Sequence, residues 1–186
     1  MTTRPNRLPR AGASLLLALA AAAGCASPAS APAASTARSA GADPGPAASS
    51  RMVCTGDAVE EIAGALGTEP TSPPAATWAG HLYSCTYAYP DGSMLLSVKE
   101  LADPATAAAQ FDGLRGSAGQ VTMLNGLGES AFTEANGSTV VRKDSSVLVV
   151  DVSRLPEPFG KPPRSRAKVS VTVATTIMTC WQEHSS

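Results

Sequence analysis

Residues 81–101 read HLYSCTYAYPDGSMLLSVKEL, and this stretch decides the fold. Residues 81–89 alternate in polarity and are rich in aromatic side chains, a pattern that predicts a β-strand. Residues 90–93, Pro-Asp-Gly-Ser, have the composition of a turn, and residues 94–101 again favour a strand. The two strands are therefore expected to form a β-hairpin.

Helices are expected on both sides of this hairpin. Residues 57–66 carry an apolar stripe at helical spacing, with Thr55 or Asp57 available as a cap and a glycine at the end. A second helix begins at Asp103-Pro104, because proline is favoured at the first helical position. It is predicted to run to about Gly116.

Three further strands are predicted at about 130–134, 138–143 and 147–153, separated by two turns. The last segment fits strand alternation over 168–174 but also has apolar residues every four positions from 169 to 181. We predict a helix there, with Ser165 as a possible cap. The sequence thus predicts one α+β domain of order α-β-β-α-β-β-β-α. Its sheet is largely antiparallel, has about five strands and carries the helices on one face.

The amino-terminal region has the pattern of an export signal. Three arginines precede the apolar run 11–23, whose 13 residues fall short of the roughly 20 that cross a bilayer as a helix. The run ends in Ala22-Ala23-Gly24-Cys25, which is typical of a lipoprotein signal peptide cleaved before Cys25. We therefore predict a signal peptide over 1–24. A diacylglyceryl group on Cys25, with palmitate-type chains, would hold the protein on the extracytoplasmic face of the cell membrane. The alternative is an ordinary secretory signal with an incidental cysteine.

Residues 25–50 are predicted to be a flexible tether that starts at the lipidated cysteine. Apart from Cys25, Arg38 and Asp43, this segment consists of Ala, Ser, Pro, Gly and Thr, which offer too little bulky apolar surface to fold. A flexible chain of this length spans about 25–30 Å. The extracytoplasmic domain is then residues 51–186.

Charge argues against a nucleic-acid partner. Three of the 14 Lys and Arg residues lie in 1–24, which leaves 11 against 15 Asp and Glu, whereas nucleic-acid binding needs a basic face. A local basic cluster consists of Lys161, Arg164, Arg166 and Lys168. It fits either anionic lipid headgroups or a solvated surface beside a helix.

Three cysteines follow Cys25, and they allow three single pairings. We favour a Cys54–Cys85 disulfide, which joins the first helical segment to the first strand and suits an oxidising compartment. Cys180 is then expected to lie buried beside Trp181. A thiol-dependent role for Cys180 stays open as a lesser alternative.

A search for catalytic chemistry yields one candidate, His81, which could pair with Asp57 or Asp91 in a hydrolase. No nucleophile elbow accompanies it, and we predict no catalytic set. No metal ligands occur at suitable spacing, and no cofactor is predicted. One binding-type feature remains, the aromatic residues Trp78, Tyr83, Tyr87 and Tyr89. The three tyrosines share one face of their strand with Cys85, so either they belong to the core or their outer end stacks on a ligand.

Several motifs together resemble small uncharacterised lipoproteins of actinomycetes. They are the lipobox Ala22-Ala23-Gly24-Cys25, the Ala/Ser/Pro tether, a cysteine at the first helix, Cys85-Thr-Tyr, residues 126–132 and the closing Thr179-Cys180-Trp181. The resemblance covers residues 51–182. It implies an extracytoplasmic, disulfide-containing α+β domain and no established catalytic residues.

We therefore expect a lipid-anchored, non-catalytic binding or interaction module at the cell envelope. Its partner is expected to be a protein or a cell-wall component, and regulation of a membrane partner is one possible role. The alternative is a cell-wall or ester hydrolase that uses His81.

Overall fold

The computed structural model describes residues 45–183, with side chains up to Trp181. The predicted signal peptide, Cys25, most of the predicted tether and His184 lie outside the described residues. Residues 45–50 also contact the domain, which the sequence predicts to begin at residue 51. The N–H of Ala47 and the hydroxyl of Ser50 donate hydrogen bonds to the Glu100 carboxylate at 2.7 and 2.5 Å, and Ser50 is fully buried. These long-range contacts give this short polar segment the order that its composition does not predict.

Within the described range the chain forms four α-helices: α1 Ala48–Arg51, α2 Gly56–Leu66, α3 Pro104–Ser117 and α4 Arg166–Glu183. A 3₁₀ turn, Met52–Cys54, joins α1 to α2. Thr55 caps α2 by accepting a hydrogen bond from the N–H of Ala58 at 3.3 Å, and Asp103 caps α3 in the same way. The predicted terminal helix is confirmed.

The same range contains seven strands: β1 Ala75–Ala79, β2 Leu82–Tyr89, β3 Gly92–Glu100, β4 Val121–Leu124, β5 Ser130–Glu134, β6 Thr139–Lys143 and β7 Ser146–Asp151. They form one antiparallel sheet in the order β1-β2-β3-β7-β6-β5-β4. The α+β class and the antiparallel sheet are confirmed. The count of about five strands is wrong, because β1 and β4 lie at the two edges and carry little of the apolar alternation that marks a strand.

The two faces of the sheet are covered by different helices. The larger core lies on the face that carries Cys85, Leu96 and Leu148, and α2 and α4 pack against it. A smaller core lies on the opposite face, where Phe111 of α3 packs against Phe132, together with Val140 and Val147. The prediction that all helices lie on one face is therefore wrong. The apolar runs of β5, β6 and β7 are buried on both sides, as in strands sandwiched between helices.

The sheet has two ends that matter for function. At the first, which we call the tether end, the carboxylate of Glu100 at the end of β3 accepts a hydrogen bond from the N–H of Ala47. The N–H of Glu100 donates to the carbonyl of His81 in the β1–β2 turn. At the other, which we call the distal end, Gly92 at the start of β3 lies against Arg154 and the β5–β6 turn lies against the start of α4. The nine residues of β3 separate the two ends by about 25–30 Å. Among residues 45–183, none of the four helices combines the length and the apolar composition of a membrane-spanning helix.

Candidate functional site

The disulfide prediction is confirmed: Cys54 and Cys85 are bonded, with their Cα atoms 5.7 Å apart. The bond attaches the 3₁₀ turn before α2 to the inward face of β2. Cys180 lies outside this bond and is buried, as predicted, and its thiol donates a hydrogen bond to the Glu61 carboxylate at 2.8 Å. It therefore contributes to the contact between α4 and α2.

The predicted aromatic binding set divides into core and surface residues. Tyr87 is fully buried and Tyr89 nearly so, and the Tyr89 ring packs edge-on against Phe159 at 4.9 Å. Burial raises the pKa of Tyr89 to about 12 and raises that of Tyr87 as well. Of the two alternatives for these two residues, burial supports the core, because β2 turns both rings into the larger core. Trp78 and Tyr83 are cross-strand neighbours on the same face, both half-buried, near the tether end.

The two buried tyrosines should respond differently to loss of the hydroxyl. The Tyr87 hydroxyl donates to the carbonyl of Val53 at 2.7 Å, whereas the buried Tyr89 hydroxyl has no hydrogen-bond partner among the described residues. We expect Tyr87→Phe to lower the free energy of unfolding by about 1–2 kcal/mol, and Tyr89→Phe to leave it unchanged or raise it. Urea denaturation of both variants measures the difference. Equal destabilisation would contradict the hydrogen-bond assignment.

His81 is exposed in the β1–β2 turn, where Gly80 and His81 both have positive φ, and β2 starts one residue later than predicted. Its ring lies edge-on to Trp78 at 5.8 Å. Asp91, one of its predicted partners, follows the far end of β2, about 25 Å away by strand length. Among the described residues, no carboxylate is hydrogen-bonded to the His81 imidazole. The structure thus does not bring His81 and Asp91 together.

The basic cluster lies at the distal end, and two of its four side chains serve the fold. Arg164 donates to the carbonyl of Ala65 at 2.7 Å and so closes the carboxyl end of α2. Arg166 pairs with Glu157 and also donates to the carbonyl of Ser153. Lys161 and Lys168 are exposed. The cluster therefore lies at the end of the sheet opposite to Ala47 and Glu100.

A groove of about 500 Å³ lies beside this cluster, between edge strand β4 and the first turns of α4. Its volume is within the range of ligand sites. The lining contains two cations, three threonines and three apolar residues: Arg164, Lys168, Thr122, Thr133, Thr172, Leu124, Ala167 and Val171. A groove that combines apolar walls with a few polar groups and a positive charge is the strongest candidate binding site in residues 45–183.

A buried hydroxyl network positions the helix side of the groove. Ser170 of α4 shares a 2.7 Å hydrogen bond with Thr139 and donates to the carbonyl of Gly137 at 2.5 Å. The Thr139 hydroxyl lies 3.4 Å from that of Thr133 on the groove floor. These contacts fix the start of α4 on the β5–β6 hairpin, so Lys168 projects from a rigid element.

The start of α4 is also capped electrostatically. The Glu157 carboxylate accepts a hydrogen bond from the N–H of Arg166 at 2.9 Å, and Ser165 accepts one from the N–H of Lys168 at 3.4 Å, as its predicted cap role requires. The Arg166 N–H and guanidinium lower the pKa of Glu157. Glu157 thus neutralises Arg166 and leaves Lys168 as the exposed charge at the groove.

Two other surfaces are weaker candidates. A wider groove of about 1150 Å³ runs between α2 and residues 68–74, but it exceeds the usual size of a ligand site and is lined mostly by small residues. The β1–β3 half of the α3 face carries Leu82 and Leu95 partly exposed among hydroxyl side chains, a composition common on solvated antiparallel sheets. In residues 45–183 no group of His, Cys, Asp and Glu is placed to hold a metal ion.

The bend at 126–129, part of the lipoprotein resemblance, has a structural role. Gly128 has positive φ, and a Cβ there would overlap the carbonyl oxygen of Arg142. Glu129 then pairs with the Arg142 guanidinium and accepts a hydrogen bond from the N–H of Asp144. The bend therefore locks β5 to the β6–β7 hairpin.

The groove was not predicted from the sequence, because its lining comes from β4, β5 and α4, which are distant in the chain. Predicting it needed the knowledge that residues 121–124 form an edge strand. No protein-family model, curated protein or solved structure matches this chain. The candidate site therefore depends on the geometry of the domain itself.

Proposed function

We propose that this protein is a lipid-anchored extracytoplasmic lipoprotein that acts as a non-catalytic binding module at the cell envelope. Its anchor is the diacylated Cys25, and its binding surface is the groove between β4 and α4. One observation carries the proposal: the groove lies at the distal end, while the chain joins the domain at the tether end. A domain anchored through its amino terminus would thus leave the groove free to face away from the membrane.

The tether supports this role physically. A flexible segment confines the domain to a thin shell above the membrane, which raises its effective concentration toward partners in the same shell. The basic side chains beside the groove would then be available to an envelope partner. Because the groove is already formed, binding carries no free-energy cost for ordering the domain.

We test this proposal by photo-crosslinking in cells that produce the full-length chain. A photoreactive amino acid replaces Thr122 in the groove, and the matched control carries it at Thr77, an exposed residue of the opposite edge strand. We expect a discrete adduct from position 122 and none from position 77. Equal adducts from the two positions, or none from either, would contradict the groove as the binding surface.

The anchor has a separate test. Cys25→Ala in the same cells should move the protein from the membrane fraction to the soluble fraction, because both acyl chains are lost. Membrane fractionation unchanged by this substitution would refute lipid anchoring.

A further inference from the structure

The groove combines two recognition elements on adjacent surfaces. β4 pairs with β5 on one side, and among the described strands none pairs with its other side. An edge strand exposes backbone N–H and C=O groups that an extended peptide can pair with. The groove wall formed by α4 runs alongside this edge. A peptide placed there would contact a strand on one side and a helix on the other.

The spacing of side chains fits such an occupant. Thr122 and Leu124 project from β4 to the groove side of the sheet, and side chains of an added strand would alternate with the same period of two. Every second peptide residue would therefore enter the groove, where Leu124 and Val171 offer apolar contact and Thr122 offers a hydroxyl. The intervening residues would face the opposite side of the sheet, beside Met123, which is 49% exposed.

The charge of the groove selects the kind of peptide. Arg164 and Lys168 line it, and no acidic residue does so in the described part of the chain. Arg164 is held in place through its bond to Ala65, and Lys168 has no ion-pair partner within the described range. A partner side chain with a carboxylate complements this arrangement.

We propose that the groove binds an extended acidic segment of a protein partner, which adds to the sheet beside β4 and places a carboxylate against Lys168. This inference rests on the proposed function, since it names the ligand class of the same surface.

The test uses the full-length protein in detergent micelles and fluorescently labelled, end-blocked hexapeptides. The acidic probe alternates valine with glutamate, and its counterpart alternates valine with lysine. We expect fluorescence anisotropy to show binding of the acidic peptide and at least about tenfold weaker binding of the basic one. Lys168→Glu should abolish this preference, because the new carboxylate then offsets the charge of Arg164. Lys161→Glu makes the same charge change in the other groove and should leave affinity within about twofold.

Backbone pairing has its own probes, which require no change to the protein. Two acidic peptides carry N-methyl groups on alternate residues, in opposite phases, so that one of them blocks the peptide edge that faces β4. We expect one phase to bind at least about tenfold more weakly than the other.

The inference is overturned if both phases bind like the unmethylated peptide, if Lys161→Glu weakens binding as much as Lys168→Glu, or if no peptide binds. Equally tight binding of inorganic polyphosphate would also overturn it, because a simple anion site would then suffice. If the groove forms adducts in cells but no hexapeptide binds in vitro, this inference is overturned and the proposed function stays intact. If position 122 forms no adduct in cells, the proposed function itself is overturned.

Discussion

Replacing Cys54 and Cys85 together by alanine is expected to lower the free energy of unfolding by about 3–4 kcal/mol, one of the largest effects of any change in this domain. The bond closes a loop with a sequence separation of 31 residues, so its loss increases the conformational entropy of the unfolded chain. It also releases the 3₁₀ turn that carries Val53, whose carbonyl accepts the buried Tyr87 hydrogen bond. Both effects weaken the attachment of α2 to β2.

Guanidinium denaturation of the parent protein, the reduced parent and the double variant measures this loss. The reduced parent and the variant should unfold at similar, lower denaturant concentrations. Cys180→Ser is the matched control, because serine can still donate to Glu61 and lies outside the disulfide. An unchanged midpoint in the double variant would show that the bond does not stabilise the domain.

The disulfide could be predicted because both cysteines stand in segments with clear local signals. Cys85 is on the inward face of a strongly alternating strand, and Cys54 precedes a capped helix. Clear local signals also predicted five strands, whose observed bounds agree with the predicted ones within two residues: β2, β3, β5, β6 and β7. Local patterning was sufficient wherever one face of an element is buried and the other exposed.

The edge strands escaped prediction for a physical reason. β1 consists of Ala, Thr and Trp after two prolines, and its strand conformation comes from pairing with β2. β4 has four residues and depends on β5 in the same way. Neither segment has an intrinsic β-strand preference strong enough to predict it without its neighbouring strand. The groove beside β4 could not be predicted for the same reason.

The position of α3 escaped prediction because the strands beneath it are apolar on both sides. In β7, Val147 belongs to the smaller core and Leu148 to the larger one. Such a run signals burial on two faces, which requires a helix layer on each side. An interpretation of these apolar runs as strands buried on both faces would have predicted α3 on the face opposite to α2 and α4.

A second large effect is expected where α2 ends. Gly67 adopts the left-handed conformation, with φ +64, and a Cβ there would overlap the carbonyl oxygen of Lys161. Both the backbone strain of a non-glycine residue and the steric overlap then destabilise the variant. We expect Gly67→Ala to lower the free energy of unfolding by about 3 kcal/mol.

The control for this prediction lies three residues earlier in the same helix. A Cβ added at Gly64 meets no atom within 4 Å, and its backbone is helical, so Gly64→Ala should raise the free energy of unfolding by about 0.5–1 kcal/mol. Urea denaturation should therefore show shifts of opposite sign for the same chemical change. Two shifts of the same sign would contradict the contact between α2 and the loop at Lys161.

The Gly67 substitution also bears on the groove. In the loop that Gly67 contacts, the N–H of Lys161 donates a hydrogen bond to the carbonyl of Leu66 at 2.7 Å. Three residues later, the Arg164 guanidinium donates one to the carbonyl of Ala65. A Cβ at position 67 pushes this loop away from α2 and so displaces Arg164 from the groove wall. Gly67→Ala should therefore weaken binding of the acidic hexapeptide under conditions where the variant is still folded, whereas Gly64→Ala should not. Unchanged peptide affinity in folded Gly67→Ala protein would mean that Arg164 contributes nothing to the groove and that Lys168 alone supplies its charge.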